Sequence, residues 1–211
     1  MATQQPEPVT IVNVGYRSTN YYVVGAGSAR LLIDLGWPGS WAELTGALKR
    51  KGLTTHDLTH AFATHYHPDH AGLAQELKRA GLTLIVIDAQ VDAIPLLAQM
   101  VKPTDGYLPL TLDGARVLSA GASRAYLARL GIAGEIIATP GHSDDSMTLV
   151  LDSGAAFTGD LTVPWLAFGD GQARVLQSWA EIRRSGATTV YPGHGPAGPV
   201  PPALEATTDA G

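Results

Sequence analysis

The 211-residue chain contains no cysteine. This absence excludes disulfide bonds, thiolate zinc sites, iron–sulfur clusters and a cysteine nucleophile. Basic residues are also few, with 14 Lys and Arg against 19 Asp and Glu and a formal charge of −5 at pH 7. Nucleic acids and anionic membranes attract cationic surfaces, so we expect neither as a partner.

Long apolar runs are missing as well. No stretch approaches the roughly 18 apolar residues of a membrane-spanning helix, and Met1–Pro8 lacks the basic and apolar regions of a signal peptide. We therefore expect a soluble, cytoplasmic protein. With 45% hydrophobic residues, the chain has the composition of an ordinary globular protein. One domain over residues 1–211 is expected, with loosely packed tails at 1–8 and 197–211.

Short apolar segments bounded by turn residues predict strands, and apolar residues at helical spacing predict helices. The predicted strands are Val9–Val14, Tyr21–Val24, Leu31–Leu35, Leu58–Thr64, Leu82–Ile87, Glu135–Thr139, Met147–Leu151, Ala155–Thr158 and Thr188–Tyr191. The predicted helices are one from Ser40 to Gly52, then His70–Ala80, Asp88–Val101, Ser123–Leu130 and Val175–Arg184. Ser40 and Glu43 form a capping-box pattern at the start of the first helix. Pro95 is expected to kink the predicted helix Asp88–Val101 or to end its first part. Residues 106–119 stay unassigned. This order predicts an α/β protein in which helices cover sheets.

A cluster of histidines and one aspartate lies immediately after the predicted strand Leu58–Thr64. Its members are His65, His67, Asp69 and His70. Imidazole nitrogen and carboxylate oxygen are the ligands that zinc accepts when no thiolate is present. Pro68 stiffens this loop, so that ordering it around a metal costs less entropy. Because adjacent residues do not easily point at one ion, the cluster suggests two subsets, His65 with His67 and Asp69 with His70.

Three further candidate ligands follow predicted strands in the same way. They are His142, Asp160 and His194. If these strands are parallel or share an edge, their ends converge, and strand-end loops are where sites are usually built. Chance recurrence of this pattern is improbable, so we predict a metal site. His56 and His60 lie outside the pattern and are expected to be ordinary surface or core residues.

In order and context, these seven residues match the motifs of the metallo-β-lactamase fold superfamily, which the chain resembles from about Val9 to Gly195. The resemblance implies a four-layer αββα sandwich with a dinuclear metal site at one edge. One ion would be held by His65, His67 and His142, the other by Asp69, His70 and His194, with Asp160 bridging both. Asp34 resembles the family's first-motif aspartate, which supports the ligand loop. Thr64 and Thr139 are weaker candidates for fixing the histidine tautomers.

The implied cofactors are two divalent metal ions, Zn2+ first, with Mn2+ or Fe as alternatives because His/Asp sites bind several metals and availability decides. Two ions lower the pKa of a bridging water and generate a metal-bridging hydroxide at neutral pH. We expect this hydroxide to cleave a carboxylic ester, lactone or thioester of a rather apolar small molecule. Asp69, besides binding metal, is a candidate for orienting the water or shuttling a proton.

Several features of the sequence indicate which branch of the superfamily it resembles. Asp160 stands where one class of zinc β-lactamases has cysteine. An aspartate at this position resembles the pattern of the glyoxalase II, lactonase and phosphodiesterase branches. His67 replaces the glutamate of the flavodiiron branch and disfavours redox chemistry. Gly195–Gly211 contains no Lys or Arg, which counts against a glutathione thioester. The main alternative is a phosphodiesterase or phosphotriesterase on the same site. Less favoured are a β-lactamase, a mononuclear-iron persulfide dioxygenase and a catalytically silent binding module.

The apolar segment Leu161–Phe168 directly follows Asp160 and is expected to overhang the metals. We predict that Trp165 and Phe168 line an apolar substrate pocket, with packing in the core or at a subunit contact as the alternative. Tyr66, between two ligands, and Tyr107, in the unassigned segment, are further pocket or lid candidates. The sequence leaves the oligomeric state open, a homodimer included.

Overall fold

The computed structural model describes residues 9–203, which form two β-sheets and six α-helices. The first sheet has six strands in the order β1 (Thr10–Asn13), β2 (Tyr22–Ala26), β3 (Ala29–Ile33), β4 (His60–Phe62), β5 (Thr83–Ile87) and β6 (Arg116–Leu118). Strands β1 to β3 are antiparallel, whereas β3 to β6 run parallel. The carboxyl ends of β3, β4 and β5 therefore lie at one edge of this sheet.

The second sheet has five strands, in the spatial order β11-β10-β9-β8-β7. They are β7 (Gly134–Ala138), β8 (Met147–Leu151), β9 (Ala155–Gly159), β10 (Thr189–Pro192) and β11 (Gly198–Pro199). Strands β9 and β10 are parallel, so their carboxyl ends lie side by side, and the other neighbours are antiparallel. The helices are α1 (Trp41–Arg50), α2 (Pro68–Ala71), α3 (Ala74–Arg79), α4 (Ile94–Met100), α5 (Ala120–Arg129) and α6 (Gln172–Arg184).

The helices and sheets form four layers, because alternate strand residues face opposite sides of a sheet. In β3, Leu32 belongs to the core that the first sheet shares with helix α1. Its neighbour Ile33 belongs instead to the core between the two sheets, together with Phe157 of β9. Trp179 of α6 packs in a third core, on the outer face of the second sheet. This layering confirms the predicted αββα sandwich.

Two predicted helices are divided in the structure. The segment His70–Ala80 forms α2 and α3, with a break at Gly72 and Leu73. A Cβ atom at residue 72 would lie 2.3 Å from the ring of Pro38, so this position requires glycine, which is itself a poor helix former. Residues 88–93 form a 3-10 helix, and α4 then begins at Ile94 with Pro95 in its first turn. Pro95 therefore ends the first part of that segment, as predicted.

The capping box predicted for α1 is absent. The Ser40 hydroxyl donates a hydrogen bond to the Trp37 carbonyl, 2.6 Å away, and makes no cap hydrogen bond. Glu43 forms an ion pair with Arg17 instead of reaching back to the helix start. In the segment left unassigned, residues 116–118 form β6, a short and largely exposed edge strand with a weak sequence signal.

The predicted tails fall mostly on residues 1–8 and 204–211, which lie outside the described residues. Within the described part, β11 pairs with β10, and Pro201 is buried, so residues 198–201 are attached to the sheet edge. Across residues 9–203, no helix combines the length and apolar character that crossing a bilayer requires.

Candidate metal centre

The seven predicted ligands converge at one edge of the sandwich, because each follows the end of a strand. The first four follow β4, and His142, Asp160 and His194 follow β7, β9 and β10. Backbone hydrogen bonds hold these loops together across the two sheets. The Met147 N–H donates to the Thr64 carbonyl, and the Gly193 N–H donates to the Gly159 carbonyl, both over 2.8 Å.

Three imidazoles form the first ligand group. His65, His67 and His142 each offer a ring nitrogen, and these three atoms lie within 4.8 Å of one another. Nε2 of His142 lies 3.0 Å from Nδ1 of His67. His65 is buried, whereas the other two are partly accessible from solvent. This arrangement could hold one metal ion at the rim of the site.

The second group consists of Asp69, His70, Asp160 and His194, whose ligand atoms also lie within 4.8 Å of one another. Nε2 of His194 lies 3.1 Å from Oδ2 of Asp69 and 3.4 Å from Oδ2 of Asp160. The same Asp160 oxygen lies 3.7 Å from Nε2 of His142, a member of the first group. Asp160 is thus placed between the two groups.

The burial of three donor atoms supports metal binding at this site. Nε2 of His65, Nε2 of His70 and Oδ1 of Asp160 are buried and make no hydrogen bond within the described part of the chain. Buried polar atoms without partners are rare in native structures and usually mark an ion, a water or a functional role. Nitrogen and oxygen donors of this kind suit Zn2+ and related divalent ions.

Asp34 supports both ligand groups through hydrogen bonds to Thr64 and His70. Its backbone adopts a left-handed conformation, with φ of +59°, which aspartate tolerates better than most residues. The buried carboxylate accepts the Thr64 N–H over 2.8 Å, the Thr64 hydroxyl over 2.9 Å and Nδ1–H of His70 over 2.8 Å. The Thr64 hydroxyl in turn lies 3.1 Å from Nδ1 of His65. With Nδ1 engaged, each of these histidines presents Nε2 to the site.

Thr139 does not share this role. Its hydroxyl is hydrogen-bonded to the Thr148 hydroxyl over 2.7 Å. Thr148 pairs with Ile137, and Thr139, two residues further on, lies on the same face as Ile137 and next to Thr148. The prediction that Thr139 fixes a histidine tautomer is therefore wrong.

Two contacts from the loop between β1 and β2 were not predicted. The Thr19 hydroxyl donates to Oδ2 of Asp69 over 3.2 Å, and the Ser18 carbonyl accepts from Nδ1–H of His194 over 2.7 Å. Nothing in the sequence of this polar loop distinguishes it from an ordinary turn. Its role follows from the fold, which brings residues 18–19 against two ligands far away in the chain.

Two buried side chains, Asp145 and Gln90, also form hydrogen bonds with the backbone of the ligand loop. The buried Asp145 carboxylate accepts the Tyr66 N–H over 2.7 Å. Gln90, which is fully buried, donates to the carbonyls of Ala63 and Thr64 over 3.0 and 3.2 Å. Neither contact was predicted from the sequence.

The charges around the site favour cation binding. Burial lowers the pKa of His65 well below its usual value, and the neighbouring imidazoles lower it further, so this ring is neutral at pH 7. Burial alone would raise the pKa of Asp69, but contacts with His70 outweigh it and lower the pKa to about 2. Burial likewise opposes ionisation of Asp160, and His70 again brings its pKa below the usual value. Both carboxylates are therefore ionised at neutral pH.

The predicted pocket residues are dispersed. A cavity of about 280 Å3 adjoins the ligands, and its lining is His142, Gly159, Asp160, Leu161, Val163, Pro192 and His194. Trp165 and Phe168 are not part of that lining and are 61% and 83% exposed, so they belong neither to this pocket nor to the core. Tyr66 is buried and borders a different cavity beside His67, and Tyr107, partly buried, lines a further one.

Known proteins are similar to this chain over most of its length. The sequence model described as the Metallo-beta-lactamase superfamily matches residues 14–194. Among curated relatives, lactamase-like protein notP of Aspergillus sp. (strain MF297-2) is 32% identical over 85% of this chain and 50% of its own length. An atrochrysone carboxyl ACP thioesterase of Aspergillus terreus is 31% identical over 85% of this chain and 50% of its own length. The chain thus spans about half the length of these relatives.

Solved structures show the same fold. Metallo-beta-lactamase family protein TTHA1429 from Thermus thermophilus is similar over 91% of this chain and 75% of its own, with a TM-score of 0.67 and 19% identity. The metallo-β-lactamase MIM-1 from Novosphingobium pentaromativorans covers 87% of this chain and 73% of its own, with a TM-score of 0.66 and 20% identity. At this identity the similarity establishes the fold alone.

Proposed function

The chain belongs to the metallo-β-lactamase superfamily, and on that premise we propose that it is a dinuclear metal-dependent hydrolase of an acyl thioester. The observation that supports the proposal is the position of Asp160, a member of the second group that also lies close to His142 of the first. The choice of a thioester among the esters expected from the sequence is supported by the curated relatives, several of which are named ACP thioesterases.

The residues that would hold the metal ions are those of the two groups. One ion would be held by His65, His67 and His142, a second by Asp69, His70 and His194, and Asp160 would contact both. When bound, the ions would supply Lewis-acid activation of a water molecule and of the thioester carbonyl. Zn2+ is the ion that this set of imidazole and carboxylate donors suits best, with Mn2+ and Fe as alternatives.

Hydrolysis at this site needs no protein nucleophile. The chain has no cysteine, and water would supply the oxygen of the carboxylic acid while the thiol leaves with a proton. We assign Asp69 the orientation of that water, because its carboxylate lies in the second ligand group beside Asp160 and His194. Thr19 would hold Asp69 in place through its hydroxyl.

The proposal is tested with acyl thioesters of N-acetylcysteamine and a disulfide reagent that reports the released thiol. The assay suits this chain, since a protein without cysteine gives no background reaction. Matched oxyesters and a chromogenic phosphodiester are measured alongside. We expect the Zn2+-loaded chain to cleave thioesters, His67→Ala to lose this activity, and His56→Ala, outside the site, to retain it. Cleavage of the phosphodiester without cleavage of any thioester, or full activity in His67→Ala, would overturn the proposal.

A further inference from the structure

A second cavity, of about 420 Å3, opens beside the ligand His67. One wall is helix α4 with the turn before it, and the other is the segment 143–145, which follows His142. We name this cavity the α4 groove. Its lining includes Tyr66, His67, Asp92, Ala93, Leu96 and Met100. Because a ligand side chain forms part of the groove, a group bound there lies next to the reacting bond.

The α4 groove has an apolar wall that the fold leaves uncovered. Leu96 and Met100 are four residues apart on α4, so they share a face, and they are 47% and 52% exposed. Ile94 and Leu97 of the same helix are buried and anchor it to the core beneath. The helix therefore keeps its position while it presents two large apolar side chains to whatever occupies the groove.

Size distinguishes this groove from the cavity beside His142 and His194. Ligand pockets in proteins typically have volumes of about 300–1,000 Å3. The α4 groove, at about 420 Å3, lies within that range, whereas the cavity beside His142 and His194, at about 280 Å3, lies below it. The bulkier part of a substrate fits the groove, and the smaller cavity suits the slender thiol part.

Of the three carboxylates that line the α4 groove, only Asp144 has an ion pair among residues 9–203, with Arg174. Asp145 is buried and accepts the Tyr66 N–H, so Asp92 is the exposed carboxylate without a cationic partner. Asp92 makes no ion pair among residues 9–203, and it also borders a third cavity, of about 550 Å3, on the other side of the turn before α4. A carboxylate at the end of a bound acyl group would face this uncompensated negative charge.

We propose that the α4 groove binds the acyl part of the thioester, and that Leu96, Met100 and Asp92 select neutral, apolar acyl groups over anionic ones. The inference rests on the proposed function, since it places the thioester carbonyl next to His67. It replaces Trp165 and Phe168, which the sequence predicts as pocket residues, by residues of α4, and it keeps the predicted Tyr66 in the lining.

The apolar wall is tested by filling it. Leu96→Trp and Met100→Trp are compared with wild type on N-acetylcysteamine thioesters from acetyl to decanoyl. Filling the groove should lower the decanoyl-to-acetyl ratio of kcat/KM by about tenfold or more. Leu166→Trp is the matched control. Leu166 is 60% exposed, and it belongs to the segment after Asp160 and not to the lining of the α4 groove. Equal decanoyl-to-acetyl ratios in wild type and both α4 variants, or the same loss in Leu166→Trp, would overturn the assignment.

The charge selection is tested with pentanoyl and glutaryl thioesters, which have the same chain length and differ in a terminal carboxylate. Asp92→Lys should raise the glutaryl-to-pentanoyl ratio of kcat/KM by about fivefold or more, since it replaces repulsion by attraction. Asp170→Lys makes the same charge change at an exposed position after Phe168 and should leave the ratio near wild type. Equal shifts in both variants would show a general charge effect and contradict the role of Asp92.

A binding measurement separates this inference from the proposed reaction. The non-hydrolysable decyl thioether of N-acetylcysteamine is titrated into the chain by calorimetry. Binding that Leu96→Trp weakens about tenfold and Leu166→Trp does not supports the groove even if no thioester is hydrolysed. Hydrolysis by the wild type, with thioether binding that is insensitive to Leu96→Trp, refutes the groove and leaves the proposed reaction standing.

Discussion

The carboxylate of Asp34 lies 2.8 Å from Nδ1 of His70, and the same carboxylate accepts two hydrogen bonds from Thr64 at the start of the ligand loop. One buried side chain therefore orients an imidazole of the second ligand group and, through the Thr64 hydroxyl, an imidazole of the first. Such supporting contacts fix the tautomer and the ring plane of a ligand histidine.

Asp34→Asn tests this relationship with little change in shape. Asparagine tolerates the left-handed backbone at this position, but its NH2 group cannot accept the hydrogen bond from Nδ1–H of His70. We expect the affinity for Zn2+ to fall by about 10- to 100-fold, measured by competition with a chromogenic chelator. Asp170→Asn, at an exposed position, is the control. Equal affinities in the two variants would refute the supporting role.

Gly193→Ala tests how closely the second ligand group is packed. A Cβ atom at residue 193 would lie 2.5 Å from Oδ1 of Asp160 and 2.6 Å from Cε1 of His70. These side chains would have to move, so we expect a lower metal content with an unchanged far-ultraviolet circular dichroism spectrum. Gly198→Ala is the matched control, since a Cβ there meets open space. A normal metal content in Gly193→Ala would show that the site tolerates displacement of both ligands.

Thr19→Val tests the proposed positioning of Asp69. Valine keeps the shape of threonine but removes the hydroxyl that donates to Oδ2 of Asp69. Loss of one such hydrogen bond, worth about 0.5–1.5 kcal/mol, predicts a reduction of kcat by about two- to tenfold with a smaller change in KM. Thr19→Ser should restore the rate because it restores the hydroxyl. If the serine variant is as impaired as the valine variant, the effect belongs to packing.

Gln90→Leu tests the attachment of the ligand loop to the core. The fully buried Gln90 amide donates to the carbonyls of Ala63 and Thr64. Leucine would remove both bonds, and the Thr64 carbonyl would keep only the Met147 N–H. We expect the free energy of unfolding to fall by about 1–3 kcal/mol in urea titrations. Gln99→Leu, on the exposed side of α4, should change it by less than about 0.5 kcal/mol. Equal stabilities would mean that these carbonyls are satisfied in another way.

The convergence of the candidate ligands could be predicted because its signal is local. Each ligand is a histidine or aspartate just past a strand, and the parallel pairing of β9 with β10 brings Asp160 and His194 together as the pattern requires. The contacts that support the ligands depend on pairing across the fold. Thr139 faces Thr148 because of the register of β7 and β8, and Thr19 meets Asp69 across 50 residues. No spacing in the sequence encodes either contact.

The substrate side was harder to predict for a related reason. The segment after Asp160 is apolar, and an apolar segment next to a site suggests a pocket. In the structure Phe168 is 83% exposed, whereas Leu96 and Met100, far from the ligands in sequence, border the cavity at His67. The 3-10 helix at 88–93 and the start of α4 at Ile94 decide where α4 presents its side chains. Pro95 predicted a division of this segment, but not the direction of the side chains that follow it.

The central claim is that two groups of side chains hold two metal ions with Asp160 between them. The most direct test is the metal content of the chain after saturation with Zn2+ and removal of excess, measured by elemental mass spectrometry. We predict about two ions per wild-type chain, and about one in each of His142→Ala and His194→Ala, which remove a ligand from different groups. At most one ion in the wild type, or two ions retained in both variants, would contradict the account.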